Sequence, residues 1–276
     1  MGWLDACFAE LPDPRTGNAT RHDLIEVMTI ALVASVCGAE SCVDFADFAR
    51  DRERLFRDFL KLENGLPSHD TFSRLFRLLD PAAFGACFGR FLDGLGQDGR
   101  GVVAIDGKTL RRSFDRAAGG SALHVVTAFA CDARMVLGQA AVPPGGNEIT
   151  AARALLGLLD LSGMLVTGDA IHCQSETAAL VRARGGEWLF ALKANRPVVL
   201  AEVESAGKTT LARRYYLASA VLTAERFAAA VRAHWRIENS LHWVLDVTFD
   251  EDRARNRCDH GPENLTILRN TKSRGT

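Results

Sequence analysis

The sequence predicts an α/β protein whose sheet-forming core follows a purely helical segment, and three observations carry that prediction. Residues 20–95 place apolar side chains at helical spacing. From Val102 onward, short β-prone runs alternate with helical ones in the order β–β–β–α–β–α–β, closed by a long helix. The glycine-rich stretch Gly94-Leu95-Gly96-Gln97-Asp98-Gly99 separates the two patterns. The expected domains are therefore 1–97, helical, and 98–276, α/β.

The helical half is read from periodicity. Leu24, Val27, Met28, Ala31, Leu32 and Ser35 follow an i, i+3, i+4, i+7 rhythm. Phe45, Phe48, Leu55, Phe56, Phe59 and Leu60 continue it among charges from Asp44 to Leu60. Asn64-Gly65-Leu66-Pro67 reads as a turn, and Ser68 caps a helix with Phe72, Leu75, Phe76 and Leu79 on one stripe. Asp80-Pro81 stops that helix and starts another over Phe84 to Leu92.

In the second half, Val102 to Ile105 is a strand that ends on Asp106-Gly107. Leu123–Ala130 and Met135–Val142 form a hairpin around Cys131-Asp132-Ala133-Arg134. Thr150–Leu159 is a helix, Met164–Thr167 a strand that ends near Asp169, Ser175–Arg184 a helix, and Trp188–Leu192 a strand. Residues 197–222 carry a weaker pattern. Thr223 caps a helix expected to run from Ala224 to Asp246.

Composition is ordinary for a globular chain, with 47% apolar and 24% charged residues, which excludes disordered and collagen-like classes. The longest apolar stretch, 28–37, is about half a bilayer span, and no secretory signal is visible. The seven cysteines are odd in number and form no Cys-x-x-Cys pair, which suits a reducing, cytoplasmic setting. The net charge of −1 hides a split: residues 1–99 hold 10 basic against 16 acidic residues, and residues 100–276 hold 23 against 18. The acidic half argues against a nucleic-acid grip there. The basic half permits one.

Two acids, Asp106 and Asp169, stand at the carboxyl ends of strands, where α/β folds collect ligands. His234, Glu238, His242 and Asp246 recur every four residues, a polar stripe on the final helix. Two strand-end acids and one helical glutamate are what a two-metal phosphoryl-transfer site requires, and hard oxygen donors suit Mg²⁺ or Mn²⁺. Zinc on His234, Glu238 and His242 is disfavoured, because a straight helix spreads them over about 12 Å. No Walker or Rossmann glycine loop is present; Gly107-Lys108-Thr109 lacks the first glycine.

The blocks Asp106-Gly107-Lys108-Thr109-Leu110-Arg111-Arg112-Ser113, Asn147-Glu148-Ile149-Thr150, Thr167-Gly168-Asp169-Ala170, Ala191-Leu192-Lys193-Ala194-Asn195 and His234 to Val247 follow in order. Together they resemble the H-repeat-associated transposases of bacterial insertion sequences, a branch of the DDE transposases. Asn64 to Phe72 resembles the helical domain that precedes the catalytic core in that family. The resemblance implies a ribonuclease H-like mixed-sheet core, β-β-β-α-β-α-β-α, preceded by a small helical domain. It implies Asp106, Asp169 and Glu238 as catalytic acids and ligands of two Mg²⁺ or Mn²⁺ ions. The implied activity is cleavage and strand transfer at element ends. Lys108, Arg111, Arg112, Lys193, His234, Arg236 and His242 are the expected DNA contacts. Double-stranded DNA, as terminal inverted repeats and target, is the expected partner, and a homodimer the assembly suggested by analogy. The setting expected is the bacterial cytoplasm, at the nucleoid, with no membrane association. Family members carry a longer stretch between the fifth strand and the final helix, so the chain is expected to be shortened between about 197 and 222 and at its C-terminus. A catalytically inactive DNA-binding remnant is therefore the alternative. A metal-dependent nuclease unrelated to transposition ranks third. The helix from Ser68 to Leu79 reads either as a DNA-reading helix through His69, Ser73, Arg74 and Arg77 or as a packing or dimerisation element. The acidic charge of that half favours packing.

Overall fold

The protein is described here from a computed structural model, which defines residues 2–93, 101–113, 121–192, 200–203, 212–247, 249, 251, 254 and 257–270. Its contacts divide the chain into two units. One comprises Met1–Gly96, Thr109–Leu123 and Trp243–Thr276, and the other Gln97–Lys108 and His124–His242. The glycine-rich junction at Gly94–Gly99 lies outside the described residues.

The first unit is built from helices α1 (Gly2–Phe8), α2 (Leu24–Val36), α3 (Cys42–Asp51), α4 (Glu53–Arg57), α5 (His69–Leu78) and α6 (Pro81–Asp93). Helix α2 is almost wholly apolar and sits at the centre, with Val27, Met28, Ile30 and Ala31 fully buried. Phenylalanines fill the remaining space: Phe45, Phe56, Phe72, Phe76 and Phe84 are all buried. Phe45 meets Phe72 edge-on, with centroids 5.7 Å apart. The helix expected over 44–60 is interrupted at Arg52, the C-cap of α3 and N-cap of α4. Ser68 caps α5 as expected, accepting a hydrogen bond from the Thr71 amide. Of the four residues that would read DNA from α5, Arg77 is bound to Asp259 at 2.8 Å.

A late segment completes this unit. Helix α11 (Gly261–Arg269) packs on α2, α5 and α6. The Asn264 amide donates to the carbonyls of Phe76 and Leu79. Arg269, 5% exposed, faces Glu251, 1% exposed, at 3.4 Å, and donates to the Glu40 carbonyl. Thr266 donates to the same carboxylate.

The second unit is a seven-stranded sheet with helices. Its strands are β1 (Gly101–Leu110), β2 (Leu123–Ala130), β3 (Met135–Ala141), β4 (Met164–Gly168), β5 (Glu187–Leu192), β6 (Leu200–Val203) and β7 (Ala212–Ala218), in the order β3-β2-β1-β4-β5-β7-β6. β1, β4 and β5 run parallel, while β2–β3, β5–β7 and β6–β7 are antiparallel. Side chains alternate between faces along each strand. Ile105, Val166 and Phe190 pack with Leu155 and Leu156 of α7 (Glu148–Leu156) and Val181 of α8 (Ser175–Ala183). Leu165 and Leu189 point the other way, toward Ala230 and Phe227 of α9 (Ala224–His234). Such a mixed sheet with a parallel centre is the ribonuclease H-like arrangement expected. The structure adds β6 and β7 inside the stretch where the sequence pattern is weak. Residues 193–199 and 204–211 lie outside the described set.

The final helix differs from expectation. α9 stops at His234, a π-helical turn spans Ile237–His242, and α10 covers Trp243–Val247. No helix among the described residues is long and apolar enough to cross a membrane.

The buried Glu251–Arg269 pair yields a stability prediction. Arg269→Met leaves the Glu251 charge buried without its guanidinium and is expected to cost about 3–5 kcal/mol, read by urea unfolding. An unchanged midpoint would show that the pair contributes nothing.

Candidate active site

Parallel pairing of β1 with β4 sets Ile105 opposite Gly168. The next residue on each chain is an aspartate, so Asp106 and Asp169 stand side by side at the carboxyl edge of neighbouring strands, which run about 4.8 Å apart. Their environments differ. Burial pushes the Asp106 carboxyl up to about 6; the Gly107 amide and His234 pull it back, and the charges of Asp169 and Glu148 push it further. Asp169 is exposed, and the imidazole of His234 beside it, acting against partial burial, holds its carboxyl below the usual range.

The last helix supplies two histidines. His234 at the end of α9 places Nδ1 3.1 Å from the Thr167 hydroxyl and Nε2 3.8 Å from Asp169. His242, at the end of the π turn, has Nδ1 3.6 Å from Asp106. Burial and then the Lys108 charge push the His242 imidazole down to about 4, so at neutral pH it meets Asp106 as a neutral ring. In a uniform α-helix, residues eight apart are rotated by about 80°. The π turn alters that rotation, and both histidines reach the strand-end acids. Such turns recur at functional sites. Glu238 lies in the π turn with its side chain exposed.

Behind the aspartates lies a group that the sequence did not single out. Glu148, the first residue of α7, receives His124 Nε2 of β2 at 2.8 Å. Its other oxygen stands 3.1 Å from Nε2 of the fully buried His172, in the short 3₁₀ turn after Asp169. The visible signals were slight: a histidine inside an apolar strand and a glutamate directly after the N-cap Asn147.

The basic residues expected at DNA are differently placed. Lys108 is half-buried on β1, close enough for its charge to act on His242. Arg236 is engaged with Asp132 and the Cys131 carbonyl, both at 3.3 Å. Arg111 and Arg112 are exposed after β1, and the Arg112 carbonyl accepts from Arg257. Lys193 lies outside the described residues.

Two neighbouring carboxylates, one held against ionisation by burial and by its neighbour's charge, suit a hard divalent cation, which would remove that penalty. Among the described residues, no three His, Cys, Asp or Glu side chains stand close enough to hold one ion. The aspartate pair is thus assembled, and Glu238 is not gathered with it.

A pH prediction comes from Glu148. His172, then His124, favour its anion against burial, so its carboxyl lies below the ordinary value. A depressed folded value means that the contribution is full above about pH 5 and is lost as pH falls through the folded value. The stability gap between the native chain and Glu148→Gln, followed by urea unfolding, is expected to stay flat from about pH 7 to 5 and to close toward about pH 3. A gap that persists at the acid end would contradict this.

Residues 97–271 match the family profile described as "Transposase DDE domain", and residues 6–92 match "DDE_Tnp_1-associated". The H repeat-associated putative transposase YhhI of Escherichia coli (strain K12) is 31% identical over 327 residues, covering 94% of this chain and 86% of that protein. An alignment of that length cannot be filled by 276 residues, so YhhI carries residues that this chain lacks. An uncharacterized protein in the dhlA 3' region of Xanthobacter autotrophicus is 38% identical over 242 residues, covering 87% and 79%. A piggyBac transposase synaptic complex with hairpin DNA aligns with a TM-score of 0.47 at 11% identity, over 99% of this chain and 70% of that one. With its α/β core and its preceding helical region both matched, this chain belongs to the DDE transposase family, among the H repeat-associated transposases.

Proposed function

We propose that this chain is the DNA-cutting and strand-joining enzyme of a bacterial insertion sequence, acting in the cytoplasm on the element's terminal repeats and on target DNA. The observation that carries the reading is the register of β1 and β4, which sets Asp106 and Asp169 side by side at one sheet edge. Asp106 and Asp169 would hold Mg²⁺ or Mn²⁺, with Glu238 as the third acid. The ions would supply an activated attacking oxygen and charge stabilisation for the leaving one. The protein's own part is positional. His234, tethered to Thr167, steadies Asp169, and neutral His242 flanks Asp106. Lys108, Arg111, Arg112, Lys193, His234 and Arg236 are the candidate phosphate contacts. His242 can serve there only as a hydrogen-bonding ring, since burial keeps it uncharged.

The test is strand cleavage on a duplex that carries the element ends, with Mg²⁺ or Mn²⁺ present. Asp106→Ala, Asp169→Ala and Glu238→Ala are each expected to slow cleavage by about 1000-fold, roughly 4 kcal/mol of barrier. A variant that cleaves like the native chain removes that acid from the site.

A second reading is favoured by two observations. Glu238 is not gathered with the aspartates among the described residues, and YhhI carries residues absent here. On that reading the chain is a folded DNA-binding remnant; one relative, from Escherichia coli (strain K12) and 31% identical over 64 residues, is named an inactive transposase. Its signature is binding of element ends whose affinity falls with salt at a slope of about 0.9 per phosphate contacted, with no cleavage. Salt-independent binding would count against both readings.

A further inference from the structure

We propose that Glu148 is a positioning residue of the candidate active site, whose carboxylate ties together the segments that follow both strand-end aspartates. The inference rests on the reading of Asp106 and Asp169 as a metal-binding pair.

Three separate parts of the chain meet at this one side chain. Gly107, directly after Asp106, is one. A Cβ on Gly107 would fall inside the Glu148 carboxyl and only 2.6 Å from His124 Nε2, so the backbone of β1 passes against this carboxylate with no room for a side chain. His172, three residues after Asp169, is the second, 3.1 Å from one oxygen and fully buried. His124 of β2 is the third, 2.8 Å from the other oxygen. Glu148 itself is fixed at its base, because Asn147 caps α7 by accepting from the Thr150 amide at 2.9 Å.

The consequence is mechanical. Asp106 sits one residue before Gly107, and Asp169 sits at the mouth of the turn that bears His172. A carboxylate that spans both segments sets the separation of the two aspartates. Shortening or neutralising it frees the turn after β4 to move away from β1. Metal affinity depends steeply on such supporting contacts: loss of a partner outside the ligand set typically costs 10–100-fold.

The experiment is titration of the full chain with Mn²⁺ alone, followed by electron paramagnetic resonance, with thermal unfolding run in parallel. Glu148→Gln is expected to stay folded and to bind Mn²⁺ about tenfold more weakly. His124→Gln, on a partly exposed residue, is expected to weaken it in the same direction. The double variant is expected to be no weaker than Glu148→Gln alone, because the two act through one contact. In the cleavage assay, saturating Mn²⁺ is expected to restore most of the rate. That separates positioning of the metal site from general damage to the fold.

Native affinity in folded Glu148→Gln overturns the inference, as does strict additivity of the two substitutions. Should Glu148→Gln fail to fold, His124→Gln decides alone, and unchanged affinity there overturns it. Asp106→Asn separates this inference from the reading beneath it. If Asp106→Asn loses Mn²⁺ binding while Glu148→Gln does not, only the role of Glu148 falls. If Asp106→Asn keeps native affinity, the metal-site reading falls, and this inference falls with it.

Discussion

The structure of the sheet unit turns on one constraint: two parallel strands in fixed register deliver two carboxylates to the same edge. Like charges at that spacing oppose one another, and burial of one of them adds to the penalty. The neighbouring groups answer that penalty in different ways. Asp169 remains in contact with water and with His234, while Asp106 gives way and its carboxyl rises. His234 is steered by the Thr167 hydroxyl, which stands one strand position short of Gly168. The apolar layers on both faces hold the strands in this register. Val166 and Phe190 are locked under α7 and α8, and Leu165 and Leu189 under α9. A slip of one residue between β1 and β4 would turn these side chains to the opposite face of the sheet and break both packed layers, so the packing that stabilises the sheet also fixes which residues share its edge.

Much of this was legible in the sequence, for identifiable reasons. Short apolar runs that end on an acid and a glycine announced β1 and β4, because buried parallel strands are apolar on both faces. Ser68 and Thr223 occupy helix N-cap positions as single-residue signals, whereas α7 begins at Glu148, two residues ahead of the expected Thr150. Other features left no local trace. β7 reads Ala-Arg-Arg-Tyr-Tyr-Leu-Ala, with charge and aromatic residues mixed, and pairs with β5 only through long-range contacts. The π turn has no sequence signature, since its residues fit an α-helix equally well. Glu148 drew attention only as part of a longer block, because its partners lie 24 residues away on either side.

The helical unit shows a different kind of hidden information. Leu265 to Leu268 read as a brief apolar run in a polar tail, yet they are buried in α11 against helices from the other end of the chain. The physical cue was the apolar face itself, which needs a partner. Nothing nearby in sequence could identify that partner.

The same feature bears on how the protein is made. α6 ends at Asp93, and α11 does not begin until Gly261. At a synthesis rate of about 5–20 residues per second, the N-terminal helices wait roughly 8 to 34 s for the segment that completes their core. During that interval the carbonyls of Phe76 and Leu79 lack the Asn264 amide, and the Glu40 carbonyl lacks Arg269. The helical unit is therefore sealed only by a segment translated long after its other helices. A message cut short before codon 261 yields a protein that lacks the closing helix of its first unit, although every residue of the aspartate pair has already been synthesised.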